Sequence, residues 1–302
     1  MSIKQLKIAK KTAIILFLTV FLSGCAGQGS TPAGSFIYIS DNSTADEKTC
    51  KQKTILVEQK KEAAIDQLKE SLRIKYRDRK PKLWGENVPG VMTKLDTSEK
   101  IIALTFDACG GSKLSNGVDT ELIDFLIQEG IPATLFLSGR WIEANPEYCR
   151  FLADNSNFEI ENHGFRHKPL SVNGKSVYNV QGTTGIEEII DEVETNARQI
   201  EKYTGRKPKY FRSGTAYYDE IAVQIVGDLG YQVVNFNVIG DGGATYSKQQ
   251  VKHATLKAQP GSIIIYHMNH PEGSTSEGLI EGVKELKEKG YRFVKLEEYR
   301  LK

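Results

Sequence analysis

The chain has 302 residues, and its 40 lysines and arginines against 38 aspartates and glutamates give a net charge of +2. Four of those lysines (Lys4, Lys7, Lys10 and Lys11) lie at the N-terminus. Removal of that segment leaves 36 basic against 38 acidic residues, a net of −2. The charge balance therefore gives no support to nucleic-acid binding.

The N-terminus has the pattern of an export signal. Its lysines precede an apolar run from Ala13 to Leu22, which is shorter than the roughly 20 residues of a membrane span. Ser23-Gly24-Cys25 follows, as in a secretory signal peptide, and Leu22 to Cys25 resembles a bacterial lipobox. We predict a signal peptide over 1–24, lipidation of Cys25 and an extracytoplasmic protein anchored to the bacterial membrane. The alternatives are a plain signal peptide with an incidental cysteine, or an uncleaved anchor.

Three further regions follow Cys25. Residues 25–46 are rich in glycine, serine and threonine, which is typical of a flexible leader. Residues 47–97 are charged, and Ile65, Leu68 and Leu72 recur at helical spacing. This pattern predicts an amphipathic helix that packs on the main domain or, as we favour, acts as a solvated spacer. The main domain is predicted over 98–302.

Strands and helices alternate through that domain, which predicts an α/β fold with a parallel sheet. A (β/α) barrel is favoured because polar residues follow several strands, where barrel active sites lie. The alternative is a doubly wound open sheet, but no Gly-rich phosphate loop follows the first strand. The main predicted elements are strands 101–106, 133–137, 158–160, 210–211, 233–238, 263–266 and 291–294, and helices 119–128, 145–152, 187–203 and 278–289.

Two groups of residues after early strands suggest chemistry. Asp107 directly follows the first strand and precedes Ala108, Cys109 and two glycines. A carboxylate there is either a catalytic base or a simple cap. His163 and His167 stand four residues apart, and neutral imidazoles are common zinc ligands. The alternative is a chance pair in a polar loop.

Arg212, Asp241 and His267 each follow a later strand. Individually they could be a surface cation, a turn aspartate and a capping histidine. In a barrel, however, the strand ends share one face, so we expect these three side chains to lie near Asp107.

The ordered motifs resemble those of the polysaccharide deacetylase family with a NodB-type domain (carbohydrate esterase family 4), of which the chain is identified as a member. The resemblance implies a distorted (β/α) barrel that removes N-acetyl groups from a polysaccharide, in the first place from peptidoglycan amino sugars. The matching segments are Thr105–Ala108, Pro132–Phe136, Glu159–His167, Arg212 and Gly261–His267.

The resemblance also implies roles. His163 and His167 would bind a divalent metal, with zinc expected before cobalt or another ion. Asp107 would be the base and His267 the acid. Arg212 would orient Asp107, and Asp241 would hold His267. A backbone N–H within residues 215–217 would bind the oxyanion together with the metal.

The chain departs from the family pattern where Ala108 replaces the aspartate that normally supplies a third metal ligand. Asp107 itself could serve, or Cys109 or Asp119, although Asp119 is more simply a helix cap. Otherwise the metal site is weak or absent, which would leave a non-catalytic carbohydrate-binding lipoprotein.

Two other features bear on the site. Cys50, Cys109 and Cys149 allow at most one disulfide once Cys25 is lipidated. The segment 213–216 replaces a proline-containing loop of the family, so we expect a reshaped substrate groove.

Overall fold

The structure is a computed structural model that describes residues 45–302, apart from most side chains before Glu62. The predicted signal peptide, Cys25 and most of the leader lie outside these described residues. The chain divides into two compact units, residues 1–55 and 56–302. The fold described below is that of the second unit. Among the residues described, no helix is both long and apolar enough to cross a membrane.

Helices and strands alternate along most of this unit. The helices are α1 Ala45–Tyr76, α2 Thr120–Gln128, α3 Gly139–Ala144, α4 Pro146–Ala153, α5 Ile186–Thr204, α6 Glu220–Asp228, α7 Lys248–Thr255 and α8 Thr275–Glu288. The strands are β1 Val91–Met92, β2 Ile101–Ala108, β3 Ala133–Leu137, β4 Phe158–Asn162, β5 Tyr210–Phe211, β6 Gln232–Val234, β7 Val238–Ile239, β8 Ser262–His267 and β9 Arg292–Val294.

All these strands pair in parallel in one curled sheet with the order β1-β6-β5-β4-β3-β2-β8-β7, and β9 pairs with β2. This arrangement confirms the predicted distorted (β/α) barrel and excludes the doubly wound alternative. The long, fully buried strand β2 lies near the middle of the sheet, between β3 and β8. Its carboxyl end is therefore surrounded by the loops that carry the predicted site residues.

Side chains of β2 alternate between two apolar clusters, as the strand period of two requires. Phe106 and Ala108 belong to the cluster that also contains Leu122 and Leu126 of α2. Ala103 belongs instead to the cluster inside the barrel. Ala108 therefore faces the helices. Thr105 and Asp107 alternate with these residues along β2 and so face the barrel interior.

Most predicted elements are confirmed to within a few residues, but strand β1 was not predicted, and two further regions differ. The predicted strand 233–238 is wrong as a single element, because β6 and β7 are separate strands at different places in the sheet. Between them, the Asn235 N–H donates to Met92 O and the Asn237 N–H to Ile263 O, so the chain changes partners at these residues. Helix α3, which Ser138 caps, was not predicted.

The C-terminal part of α1 belongs to the folded unit. Leu72 and Tyr76 are buried in a cluster with residues of α5 and α6. The Tyr76 hydroxyl donates to Asp228 at 2.8 Å. Strand β1 is likewise part of the sheet. The C-terminal part of the segment 47–97 therefore packs on the folded unit and is not the solvated spacer that we predicted. The folded unit also begins before residue 98, because β1 belongs to its sheet.

Candidate active site and metal centre

The predicted site residues meet at the carboxyl ends of the strands, the edge where barrel active sites form. Asp107 lies near the end of β2, and His267 is the last residue of β8. His163 directly follows β4, and Arg212 directly follows β5. Asp241 comes two residues after β7.

Arg212 and Asp107 form a buried ion pair. The Arg212 Nη1 atom donates to Asp107 Oδ1 at 2.7 Å, and the two side chains are 0% and 4% exposed. Three further guanidinium hydrogens are donated to Thr105 Oγ1 and to the carbonyls of Val234 and Asn235, at 3.0 to 3.1 Å. The guanidinium group is thus held by several hydrogen bonds, and it in turn fixes the position of Asp107 Oδ1.

Thr105 and Phe136 complete the surroundings of this cation, and the sequence predicted no role for either residue. The Phe136 ring centroid lies 4.1 Å from Arg212 Cζ, within range of a cation–π contact. The Thr105 hydroxyl donates to Ile264 O at 2.8 Å, which turns its lone pairs toward Arg212. The alternation of side chains along β2 could have identified Thr105 as a residue of the site, because Thr105 lies two residues before Asp107 and faces the same side of the strand.

His163 and His167 lie together in the β4–α5 loop. Their ring centroids are 4.9 Å apart at 78°. His163 Nδ1 lies 3.0 Å from Arg212 O, so this bond holds the ring through the same residue that orients Asp107. Burial lowers the pKa of both histidines, most strongly for His167, which is also close to His163. Both imidazoles are therefore neutral near pH 7, the state that binds metal.

Cys109 joins the two histidines. The potential ligand atoms of Cys109, His163 and His167 all lie within 4.8 Å of one another. Within the described part of the chain, the buried Nε2 atoms of both histidines have no hydrogen-bond partner. His163 Nε2 lies 3.5 Å from Asp107 Oδ2. Two unpartnered imidazole nitrogens beside a thiol fit a zinc-type cation, which binds nitrogen and sulfur ligands.

Asp119, another of the proposed third ligands, is used differently. Asp119 caps α2 by accepting the Leu122 N–H at 3.0 Å, and it is absent from the cluster. Ala108, the position of the missing family aspartate, faces the helix-side cluster. Cys109 and Cys149 are free thiols, whereas the Cys50 side chain is not described.

The Cys109 thiol would need a nearby cation in order to ionise at neutral pH. Burial, followed by the charges of Asp107 and Asp241, raises its pKa well above the usual value. Without a neighbouring positive charge the thiol stays protonated at neutral pH. Metal binding would therefore release a proton from Cys109.

His267 and Asp241 form the second polar pair. Asp241 Oδ1 lies 3.0 Å from His267 Nδ1, and Asp241 Oδ2 accepts the His267 backbone N–H at 2.6 Å. The Thr275 hydroxyl donates to Oδ2 at 3.1 Å. Burial alone would lower the pKa of His267, but the Asp241 charge and hydrogen bond, with Asp107, outweigh it and raise that pKa. The ring is thus disposed to hold a proton.

The loop after β5 packs closely against the backbone of the β4–α5 loop, which carries His163 and His167. A Cβ on Gly214 would lie 2.3 Å from the His167 carbonyl carbon, so only glycine fits there. His167 itself has a φ of 61°. Asn162 supports the turn, since its Oδ1 accepts the Gly164 N–H at 2.9 Å and its Nδ2 donates to Val193 O. Asn162 lies within the matching segment Glu159–His167, but the sequence predicted no role for it.

The predicted oxyanion segment 215–217 lies in the loop after Arg212. The Ala216 N–H donates to Ser213 O at 3.0 Å, so this particular amide is occupied. The Thr215 hydroxyl is buried and has no hydrogen-bond partner within residues 45–302.

A carboxylate held by arginine, a histidine held by aspartate and a cluster of potential nitrogen and sulfur ligands lie together on one edge of the barrel. Residues 94–234 match the polysaccharide deacetylase family. The matched region therefore belongs to a polysaccharide deacetylase domain of the NodB type (carbohydrate esterase family 4), as the motifs predicted.

Curated relatives match most of the chain at low identity. The peptidoglycan-N-acetylglucosamine deacetylase of Bacillus cereus is 26% identical over 216 residues, which cover 69% of this chain and 92% of that protein. An uncharacterised 30.6 kDa protein of Geobacillus stearothermophilus is 23% identical, over 72% of this chain and 78% of its own length.

Solved structures show the same fold. A family 4 carbohydrate esterase of Bacillus subtilis has a TM-score of 0.58 and 24% identity, over 76% of this chain and 87% of that one. A CE4 family pseudoenzyme from Bacillus anthracis has a TM-score of 0.59 and 24% identity, over 70% and 69% of the two chains. The fold is therefore shared by a protein described as an esterase and one described as a pseudoenzyme, so the fold alone does not decide the function.

Proposed function

We propose that this protein is a metal-dependent hydrolase that removes N-acetyl groups from a polysaccharide, with cell-wall peptidoglycan as its expected substrate. The observation that carries the proposal is the pairing of Asp107 with Arg212 and of His267 with Asp241 beside the cluster of Cys109, His163 and His167. This arrangement offers a base, an acid and a set of metal ligands at one edge of the barrel.

Asp107 is suited to be the base. Arg212 occupies its Oδ1 atom, which leaves Oδ2, on the side of His163, to take a proton from an attacking water. The ion pair keeps the carboxylate in one orientation, and orientation is a large part of general-base efficiency. Arg212 acts as a positioning residue through the same contact.

His267 is suited to be the acid. An amine leaves poorly unless it is protonated, so acetamide hydrolysis needs a proton donor beside the nitrogen. With Nδ1 turned to Asp241, the His267 Nε2 atom can deliver that proton. The raised pKa of His267 keeps the donor form populated near neutral pH.

Cys109, His163 and His167 would hold the metal. Three protein ligands with an open fourth position are usual for catalytic zinc. When bound, such an ion polarises a carbonyl oxygen and lowers the pKa of water. The neutral histidines need no deprotonation for this role, whereas Cys109 must lose its proton.

Acetate release with metal analysis tests this proposal. The dialysed protein, reloaded with zinc or cobalt, should release acetate from purified peptidoglycan or from soluble chito-oligosaccharides. Asp107→Asn and His267→Ala should each lower the rate by about 100-fold or more while metal content stays unchanged. Turnover on neither substrate with a fully loaded metal site would overturn the proposal.

A non-catalytic carbohydrate-binding protein is the second candidate. The replacement of the family aspartate by Ala108, together with the likeness to a pseudoenzyme fold, favours it. This candidate predicts saccharide binding that is unchanged by His163→Ala, and no stoichiometric metal. The enzyme proposal predicts the opposite on both counts.

We also propose that Cys25 anchors the chain to the outer face of the bacterial membrane. The support is the order of lysines, apolar run and Ser-Gly-Cys at the N-terminus. Metabolic labelling with a fatty acid and detergent partitioning should place the wild type in the membrane fraction. Cys25→Ser should remove the label, and a labelled Cys25→Ser protein would contradict the proposal.

A further inference from the structure

Three aromatic side chains cluster together, and they come from three separate segments, two of which are the loops that carry His163 and Arg212. Trp84 precedes β1, Tyr178 lies in the β4–α5 loop, and Tyr217 lies in the loop after Arg212. The Tyr217 ring centroid is 5.8 Å from that of Trp84 and 5.6 Å from that of Tyr178. The rings are tilted by 52° and 84°, so their faces point in different directions and do not stack on one another.

The cluster is open to solvent. Tyr178 is 67% exposed, although large aromatic side chains are usually at least partly covered. Trp84 and Tyr217 are each partly exposed. Exposed aromatic rings that lie together beside a site are typical of binding surfaces rather than of a folding core.

Trp84 is held rigidly although it precedes the matched family region, which begins at residue 94. On one side, the Leu83 N–H donates to Glu220 at 2.9 Å. On the other side, Gly85 and Tyr218 exchange both backbone hydrogen bonds at 3.1 Å. These bonds fix the backbone before and after Trp84. Little backbone entropy is therefore lost when a ligand binds to its ring.

Tyr178 lies at the tip of a tight turn. Val177 and Val180 exchange backbone hydrogen bonds at 3.2 and 2.8 Å, and the two residues between them, Tyr178 and Asn179, have φ values of 52° and 60°. Such a turn favours glycine or asparagine, and a tyrosine in the left-handed region is strained. A strained, exposed tyrosine is common where a side chain contacts a ligand.

Tyr217 connects the cluster to the candidate site. It lies five residues after Arg212, in a loop whose Gly214 packs against the backbone of His167. The Leu170 N–H donates to Tyr217 O at 3.1 Å, which fixes the loop from the β4–α5 side. A molecule on the three rings would therefore extend along the same edge of the barrel as the predicted substrate.

We infer that Trp84, Tyr178 and Tyr217 form a saccharide-binding platform that holds sugar rings of the polymer next to the residue being deacetylated. This inference rests on the proposed function for the identity of the polymer. Sugar rings present C–H groups on their faces, and these pack on the electron-rich faces of aromatic rings. Lys175, whose Nζ lies 5.9 Å from the Trp84 centroid, supplies a donor for sugar hydroxyls at the platform's edge.

Tryptophan fluorescence can test the platform directly. The chain has two tryptophans, and Trp141 is fully buried with its Nε1 atom donating to Gly117 O. A change in fluorescence on titration with an N-acetylglucosamine tetramer should therefore report on Trp84. Trp84→Phe should retain binding by calorimetry while losing the fluorescence change.

Removal of the rings should weaken binding. Trp84→Ala and Tyr178→Ala should each raise the Kd for the tetramer by about fivefold to tenfold, and leave binding of the monosaccharide unchanged. Phe151→Ala, which removes another exposed aromatic ring on α4, is the matched control and should leave the Kd unchanged. Because Tyr178 is largely exposed, its variant should keep the wild-type melting temperature.

The measurements separate this inference from the proposed function. Tetramer binding that depends on Trp84, without acetate release, would keep the platform and reject the enzyme. Acetate release with unchanged KM and Kd in both alanine variants would keep the enzyme and reject the platform. Binding of a polyproline peptide but not of the tetramer would also overturn the inference, since peptides likewise use aromatic grooves.

Discussion

Asp107 and His267 occupy directly paired positions in the neighbouring parallel strands β2 and β8. The Met268 N–H donates to Asp107 O at 3.0 Å, so the ladder continues past both residues. The proposed base and acid are therefore held at a fixed separation by strand hydrogen bonds rather than by a mobile loop. Each then has its own charged partner, Arg212 for the aspartate and Asp241 for the histidine.

Replacement of Arg212 tests the first partnership. Arg212→Ala leaves Asp107 buried without its counter-ion, and we expect it to lower the free energy of unfolding by about 3–5 kcal/mol. Arg212→Lys should lose less stability but still lose activity, because lysine cannot make the guanidinium's several fixed bonds. Denaturant unfolding and acetate release measure the two effects.

The control for Arg212 is an exposed ion pair of the same type. Arg292 lies 3.1 Å from Glu99, and both side chains are more than 60% exposed. Arg292→Ala should cost less than about 1 kcal/mol. An equal loss of stability in the Arg212 and Arg292 variants would contradict the buried ion pair.

Replacement of Cys109 tests the third ligand. Cys109→Ala should weaken zinc binding by more than about 10-fold, whereas Cys109→Asp should retain it, because a carboxylate oxygen can take the thiolate's place. Cobalt-loaded wild type should show sulfur-to-metal charge-transfer absorption that both variants lack. Cys149→Ala is the control, since that thiol is buried outside the cluster. Charge-transfer absorption that persists in Cys109→Ala would rule out this ligand.

The pH dependence of turnover tests Asp241. His267 must be protonated to act as the acid, so activity should fall as pH rises through its raised pKa. Asp241→Asn removes the charge that raises this pKa, and the alkaline limb of the pH–rate profile should move to lower pH. Glu272→Gln, which changes the partner of the partly exposed His270, should leave the alkaline limb in place. A limb that moves upward or stays fixed in Asp241→Asn would contradict the assigned acid.

Restoration of the family aspartate at position 108 should not restore a ligand. Ala108 is fully buried and faces the helix-side apolar cluster, so Ala108→Asp would bury an unpaired carboxyl group. We expect a loss of about 3 kcal/mol or more in stability without tighter metal binding. Ala63→Asp, at an exposed position of α1, is the control for the added charge. A stable Ala108→Asp protein with higher zinc affinity would show that this strand end is oriented differently.

The main elements of the barrel followed from local patterns. The apolar run of β2, the caps of α2 and the closing Gly205 of α5 are visible in the sequence, because each depends on a few neighbouring residues. The break between β6 and β7 was missed because a continuous β-like stretch does not reveal that its two halves pair with different strands. The burial of Leu72 and Tyr76 on the folded unit was not predicted either, because the residues that they contact lie far along the chain.

The sequence by itself determined the residue types available for chemistry: an aspartate, an arginine and histidines at strand ends, and an alanine where the family has a carboxylate. Only the tertiary structure decided which of them meet. Arg212 and Asp107 are 105 residues apart in the chain and 2.7 Å apart in space. The structure places Cys109 beside the two histidines and uses Asp119 as a helix cap. Ala108, the last residue of β2, faces the helix-side cluster, whereas Cys109, one residue later and outside the strand, lies beside the histidines.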